Sequence, residues 1–189
     1  MNQILELFIQ SLSLLLPIAS SGLTLILCMT KGWLKALDRP LDGGLTLRGE
    51  PLIGKSKSVR SLVIYLVIAT SVTLLLNIAA QSSNLVSPVY LNNPFVLGPL
   101  ITLAYLAGEI LNSFVKRRIG IATSGQASSK VSSSIQRVFD NVDGILATGF
   151  VFIYFQVPVS VLLTSGVLAV LIHLSTDLLM RRLKLKRKQ

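Results

Sequence analysis

Histidine and cysteine are almost missing from this chain: 189 residues contain one of each, His173 and Cys28. A disulfide framework, a thiolate or imidazole metal cluster and a His-assisted nucleophile all lack parts. Cys28 stands in an apolar run, where it reads as a small buried hydrophobe. His173 stands four residues before Asp177 within another such run, which suits a buried polar pair. Charge is scarce too. At 14% charged residues the chain holds far less than the roughly 25% that a soluble domain spreads over its exterior. With 51% hydrophobic residues and a mean hydropathy of +0.69, soluble enzyme folds are excluded and a polytopic integral membrane protein is expected.

Acids are outnumbered, eight against eighteen Lys and Arg, for a net charge of +10. In a soluble protein that excess would suggest nucleic acid, but its placement points to a membrane and argues against a nucleic-acid partner. Seven of the basic residues lie between Lys31 and Arg60, five between Lys116 and Arg137, and six between Arg181 and Lys188, which accounts for all eighteen. Apolar runs fill the intervals. The stretch 135–180 decides the span count, because it is broken by Gln156 and Pro158. As one kinked helix it would leave the basic blocks on opposite faces; folded back, it puts all three on one face, as the positive-inside rule demands.

The expected architecture is therefore all-α, with five transmembrane helices near 4–29, 61–80, 94–115, 136–156 and 159–180. The N-terminus lies outside and the C-terminus in the cytoplasm, with cytoplasmic loops 30–60 and 116–135 and a basic tail 181–189, all in a single membrane domain 1–189 of the cell membrane. The first apolar stretch has no basic region before it and outlasts a signal sequence, so it reads as a retained span. Segment 123–134, with seven Ser or Thr in twelve residues, reads as a linker or as a lid over a substrate.

Polar residues are most informative where the bilayer makes them costly. Glu109, Asn112, Ser113 and Lys116 follow one another at helical spacing in the third span, so they share a stripe. An internal Glu–Lys pair between helices would explain them without chemistry. Asp140 and Asp143, three apart in FDNVDG, can point to one side of a helix and suit magnesium, which binds one or two carboxylates plus substrate phosphates. Acids at a helix start also complement its dipole, which is the plainer explanation. The first cytoplasmic loop carries Gly43, Gly44, Gly49 and Gly54, then Lys55, Lys57 and Arg60, a plausible cradle for phosphate oxyanions or simply an orientation signal.

Three segments in order resemble the superfamily of CDP-archaeol and CDP-diacylglycerol synthases, in its archaeal-type branch. RPLDGG…GEPLIGKSKSVRS is similar to that branch's first cytoplasmic loop, GEILNSFVKRRIGI to its Gly-Asp-x-x-x-Ser-Phe-x-Lys-Arg-Arg element, and FDNVDGILATG to its Asp-Gln-x-Asp helix start. Glu109 stands where that family carries Asp. The resemblance implies a membrane cytidylyltransferase that makes a CDP-activated lipid and pyrophosphate from CTP and a lipid phosphomonoester, phosphatidate or an archaeal ether-lipid phosphate. It implies Mg2+ on Asp140, Asp143 and Glu109, with Lys116 beside them in the catalytic group. Asp42, Lys55, Lys57, Arg60, Ser113, Arg117 and Arg118 would bind substrate. The alternative is a non-catalytic membrane protein of the same fold, whose basic loops bind anionic lipid or a partner.

Overall fold

The computed structural model describes residues 3–47, 49–54, 57–119 and 143–182, without the side chains of 173 and 177–181. Lys55, Asp140, the Ser-rich segment, residues 183–189 of the basic tail and the side chains of the proposed His173–Asp177 pair thus lie outside what is described. Five helices follow in order: α1, Gln3–Lys31; α2, Val59–Ser82; α3, Pro94–Arg118; α4, described over Asp143–Tyr154; and α5, Val159–Arg182. Of these, α1, α2, α3 and the Val159–Thr176 part of α5 are long and apolar enough to cross a membrane. Their outer faces expose Leu75, Ile78, Leu103, Leu111 and Leu171, apolar side chains suited to lipid.

With no water in hydrocarbon, every hydroxyl and freed backbone group needs a protein partner. In α1, Ser11, Ser20, Ser21 and Thr24 each donate to a carbonyl one turn back. Pro17, inside the same helix, has no N–H to offer the Ser13 carbonyl. The Tyr90 hydroxyl, wholly buried, donates to that carbonyl instead at 2.8 Å. Tyr90 belongs to a short 3-10 turn, Pro88–Leu91, between α2 and α3, so this bond ties α1 to the α2–α3 link. Ser11 also donates to the Val161 carbonyl at the start of α5, at 3.2 Å. Consecutive helices therefore run in opposite directions, and Leu14, Leu76, Leu97, Phe152 and Val161 form the core at this end.

Close approaches fix the helix crossings. An added Cβ on Gly98 would meet the Thr70 Cα at 2.7 Å, which brings α3 against α2. Gly108 does the same for α3 and α4, because a Cβ there would come within 2.9 Å of the Ala147 Cβ. From α4, Gly144 returns the contact against the Tyr105 ring. Small residues at helix crossings replace the missing hydrophobic drive inside a bilayer.

Two boundaries differ from expectation. Loop 30–60 is not plain linker: β1, Thr46–Leu47, pairs antiparallel with β2, Glu50–Pro51, and Pro40 bridges Ser58. Strands of two residues carry too little alternation to show in a sequence. The all-α reading thus holds for the helical body and needs this hairpin added. Helix α3 also continues through Arg118, so Lys116, Arg117 and Arg118 stand in its last turn, where cations complement the dipole, rather than in a loop.

Candidate active site

Asp42 organises the first loop. Its carboxylate accepts backbone N–H bonds from Gly44 at 3.0 Å, Ile53 at 2.9 Å and Gly54 at 3.2 Å, closing the turn on which the hairpin stands. Partial burial pushes this carboxyl up, but those donors outweigh it and hold it below the usual range. A group depressed in the folded state supports folding above its unfolded value near 4 and loses that support as pH falls through the lower folded value. Acid below about pH 4 is therefore expected to loosen the loop, and Asp42→Asn to remove that pH dependence at a cost in stability, both readable as protease sensitivity of residues 43–54. Gly43, Gly44, Gly49 and Gly54 all have positive φ, and nothing lies within 4 Å of a Cβ built on the first three. They serve the turns rather than a close approach.

The loop hands Lys57 to the start of α2, whose first turn is capped by Ser58 and Ser61 in a reciprocal pair of hydrogen bonds. Lys57 Nζ lies 2.5 Å from Glu109 Oε2 of α3, each side chain about one-fifth exposed at 18% and 20%. One turn further along α3, Asn112 Nδ2 donates to Asp143 Oδ2 at 2.6 Å, and the Gly144 N–H donates to Asp143 Oδ1 at 2.6 Å. Asp143 feels the charges of both Glu109 and Lys57. The helix crossing at Gly108 and Gly144 thus assembles one cation and two carboxylates from three separate segments.

Of those groups, Lys57 and Glu109 line one end of a cavity of about 980 Å3. Its walls come from all five helices, from Met29 and Lys57 at the loop end to Leu14 and Val159 at the other, and they are mainly apolar. Between polar mouth and apolar body sit Tyr65 and Tyr105, stacked with ring centroids 5.5 Å apart at 12°. Sequence reasoning singles out neither tyrosine. It also passes over the α1 stripe Leu14, Ile18, Gly22, Leu25 and Met29, whose helical spacing is the available signal for a cavity wall.

Other expected site residues have different occupations. Arg60 is buried and pairs with Asp38 at 3.1 Å. Arg118 reaches back to the hairpin, donating from Nη1 to the Leu47 carbonyl at 2.6 Å and from Nη2 to that of Pro51 at 2.9 Å, over the Phe114 ring. The described contacts of Asp42, Arg60 and Arg118 are thus internal to the loop and its supports. Ser113 and Arg117 are buried in α3, and Lys116 is half-buried. Among the described residues no three His, Cys, Asp or Glu side chains gather as a metal cage. Glu109 and Asp143 supply two carboxylates on neighbouring helices, which is the protein share that magnesium takes when phosphates and water complete its shell.

No curated protein matches this chain. A solved structure described as an intramembrane enzyme for archaeal membrane lipids biosynthesis is similar to it, at 26% identity and a TM-score of 0.60, over 88% of this chain and 91% of that one. The sequence pattern of one family extends over residues 4–188, nearly the full length, and the chain accordingly belongs to the CarS-like family of CDP-archaeol synthases, a family of membrane lipid cytidylyltransferases.

Proposed function

We propose that this protein joins CTP to a lipid phosphomonoester at the cytoplasmic face of the cell membrane, with the ether-linked lipid phosphate of the family's name as acceptor. An oxygen of the lipid phosphate attacks the α-phosphorus of CTP. The bond from that phosphorus to the bridging oxygen breaks, and pyrophosphate leaves with the electron pair. The attacking oxygen is already anionic, so no protein nucleophile is needed, only alignment and neutralised charge. The observation that carries this reading is the meeting of Lys57 and Glu109 at one end of an apolar cavity lined by all five helices, with Asn112 holding Asp143 one turn further along α3.

In this reading Lys57 leaves Glu109 for a phosphate oxygen when nucleotide enters, joined by Lys55, Lys116 and Arg117. Arg60, Arg118 and Asp42 hold the loop in place around it. Glu109 and Asp143, with Asp140, would hold Mg2+. When bound, that ion neutralises triphosphate oxygens. Asn112 orients Asp143, and the cavity takes the lipid chains. The test is direct: purified protein in vesicles with labelled CTP, magnesium and either the ether-linked lipid phosphate or phosphatidate. Labelled CDP-lipid and an equal amount of pyrophosphate are expected with the ether lipid. No product from either acceptor would overturn the reading. The non-catalytic alternative also accommodates a Lys57–Glu109 pair, and it predicts that outcome.

The same proposal carries a topology of five spans within one domain, N-terminus outside. In a Cys28→Ser background, cysteines placed at Glu50, Gly125 and Arg187 should label only from the cytoplasmic side, and cysteines at Asn2 and Asn84 only from outside. Labelling of the Arg187 position from outside would leave four spans.

A further inference from the structure

The chain leaves the membrane body through an unusual exit. Helix α1 ends at Lys31 in a Schellman turn: Gly32 adopts a φ of +70°, and the Trp33 N–H reaches the Cys28 carbonyl at 2.9 Å. Leu34 then takes the left-handed conformation, with φ 56° and ψ 29°, which a side chain with a Cβ resists. Those turns do not bury their apolar side chains. Trp33 is 55% exposed and Leu34 47% exposed, next to the lipid-facing end of a membrane helix. Strain spent on presenting a tryptophan and a leucine to water has no return in water. It has one at a bilayer interface, where the amphipathic indole ring and an adjacent leucine are both stabilised.

The charges around them have one sign. Lys31, Lys35 and Arg39 are all exposed, whereas the acid among them, Asp38, is engaged by Arg60. Outward charge on this segment is therefore positive, beside an apolar pair, at the end of a membrane helix. We infer that residues Lys31–Arg39 form a foot that rests on anionic lipid headgroups, with Trp33 and Leu34 inserted among them. The foot is not isolated from the site. Asp38 holds Arg60, the Val59 N–H donates to the Arg39 carbonyl at 2.9 Å and the Leu41 N–H to the Lys57 carbonyl at 2.8 Å. Seating the foot thus sets the position of the segment that carries Lys57.

Trp33 is the only tryptophan in the chain, so its fluorescence reports the foot alone. The protein is reconstituted in vesicles of phosphatidylcholine or of equimolar phosphatidylcholine and phosphatidylglycerol. Quenching is read from acrylamide in the water and from lipid brominated just below the headgroup. In the anionic vesicles the emission should be blue-shifted, quenched by brominated lipid and sheltered from acrylamide. High salt, or the triple substitution Lys31→Gln/Lys35→Gln/Arg39→Gln, should weaken the lipid quenching, since each cation near such a surface strengthens binding roughly fivefold. Strong acrylamide quenching in both vesicles would overturn the proposal. Equal lipid quenching in the two would overturn the recognition of anionic headgroups. Neither reading depends on turnover, so the result stands apart from the proposed activity.

Discussion

Asp143→Asn should lower CDP-lipid formation by about 10²–10³-fold while the protein still inserts and folds, because electrostatic groups of this kind contribute on that scale to the reaction barrier. The substitution keeps the size of the side chain and one carbonyl oxygen, which retains one of the two bonds that Asp143 accepts from Asn112 and Gly144, while the close approach of Gly108 to Ala147 keeps α3 against α4. It removes the unit charge. A purely structural Asp143 would tolerate this, whereas a carboxylate that holds a divalent cation against a triphosphate would not. Loss of magnesium dependence, or a raised magnesium requirement, should accompany the loss of rate. Asp140→Asn belongs in the same series, and Glu109→Gln asks whether the third acid joins them. Near-normal magnesium-dependent synthesis by Asp140→Asn/Asp143→Asn would sink the site.

The second large effect is expected at the Lys57–Glu109 pair, and a double-mutant cycle separates its two meanings. A charge-assisted contact to phosphate is worth about 1.5–3 kcal/mol, so Lys57→Ala should weaken CTP binding by about ten- to 150-fold. If the pair only fastens α2 to α3, replacing both partners by neutral side chains, Lys57→Met/Glu109→Gln, should restore what the single changes lose, since an orphaned charge is the main cost of breaking an ion pair. Thermal stability should indeed recover in the double mutant. Activity should not, because CTP loses its cation and the metal site an acid. Glu109→Asp should retain function, as the shorter acid is the residue the family pattern carries there. Recovery of both stability and activity in the double mutant would make the pair structural.

Several features of the site are legible in the amino-acid sequence. Glu109 stands out because a carboxylate in an apolar run is costly, and Asp143 because it shares a short acidic motif at a helix start. The loop cations stand out by clustering ahead of a span. How these parts meet is not legible. Lys57 and Glu109 are 52 residues apart, Asn112 and Asp143 are 31 apart, and no periodicity connects residues across such intervals. Arg118 reads as a phosphate ligand in a basic cluster, and only the hairpin, too short to leave a pattern, reveals the carbonyls it holds. Nothing in the spacing of Tyr65 and Tyr105 sets them apart from lipid-facing aromatics; their stacking on the cavity wall does.

By itself the sequence determined the membrane character of the chain, the positions of its apolar helices and the grouping of its charges. Those properties are local and additive: hydropathy sums along a run, and a cation is costly in hydrocarbon wherever it is placed. The tertiary structure alone decided which side chains touch, where the cavity lies and how the first loop folds. Such contacts depend on the rotation and separation of whole helices. Here they are set by single atoms, namely the missing Cβ groups of Gly98, Gly108 and Gly144, against which Thr70, Ala147 and Tyr105 pack. A glycine in a sequence states that close approach is possible; only the packed neighbour says to what.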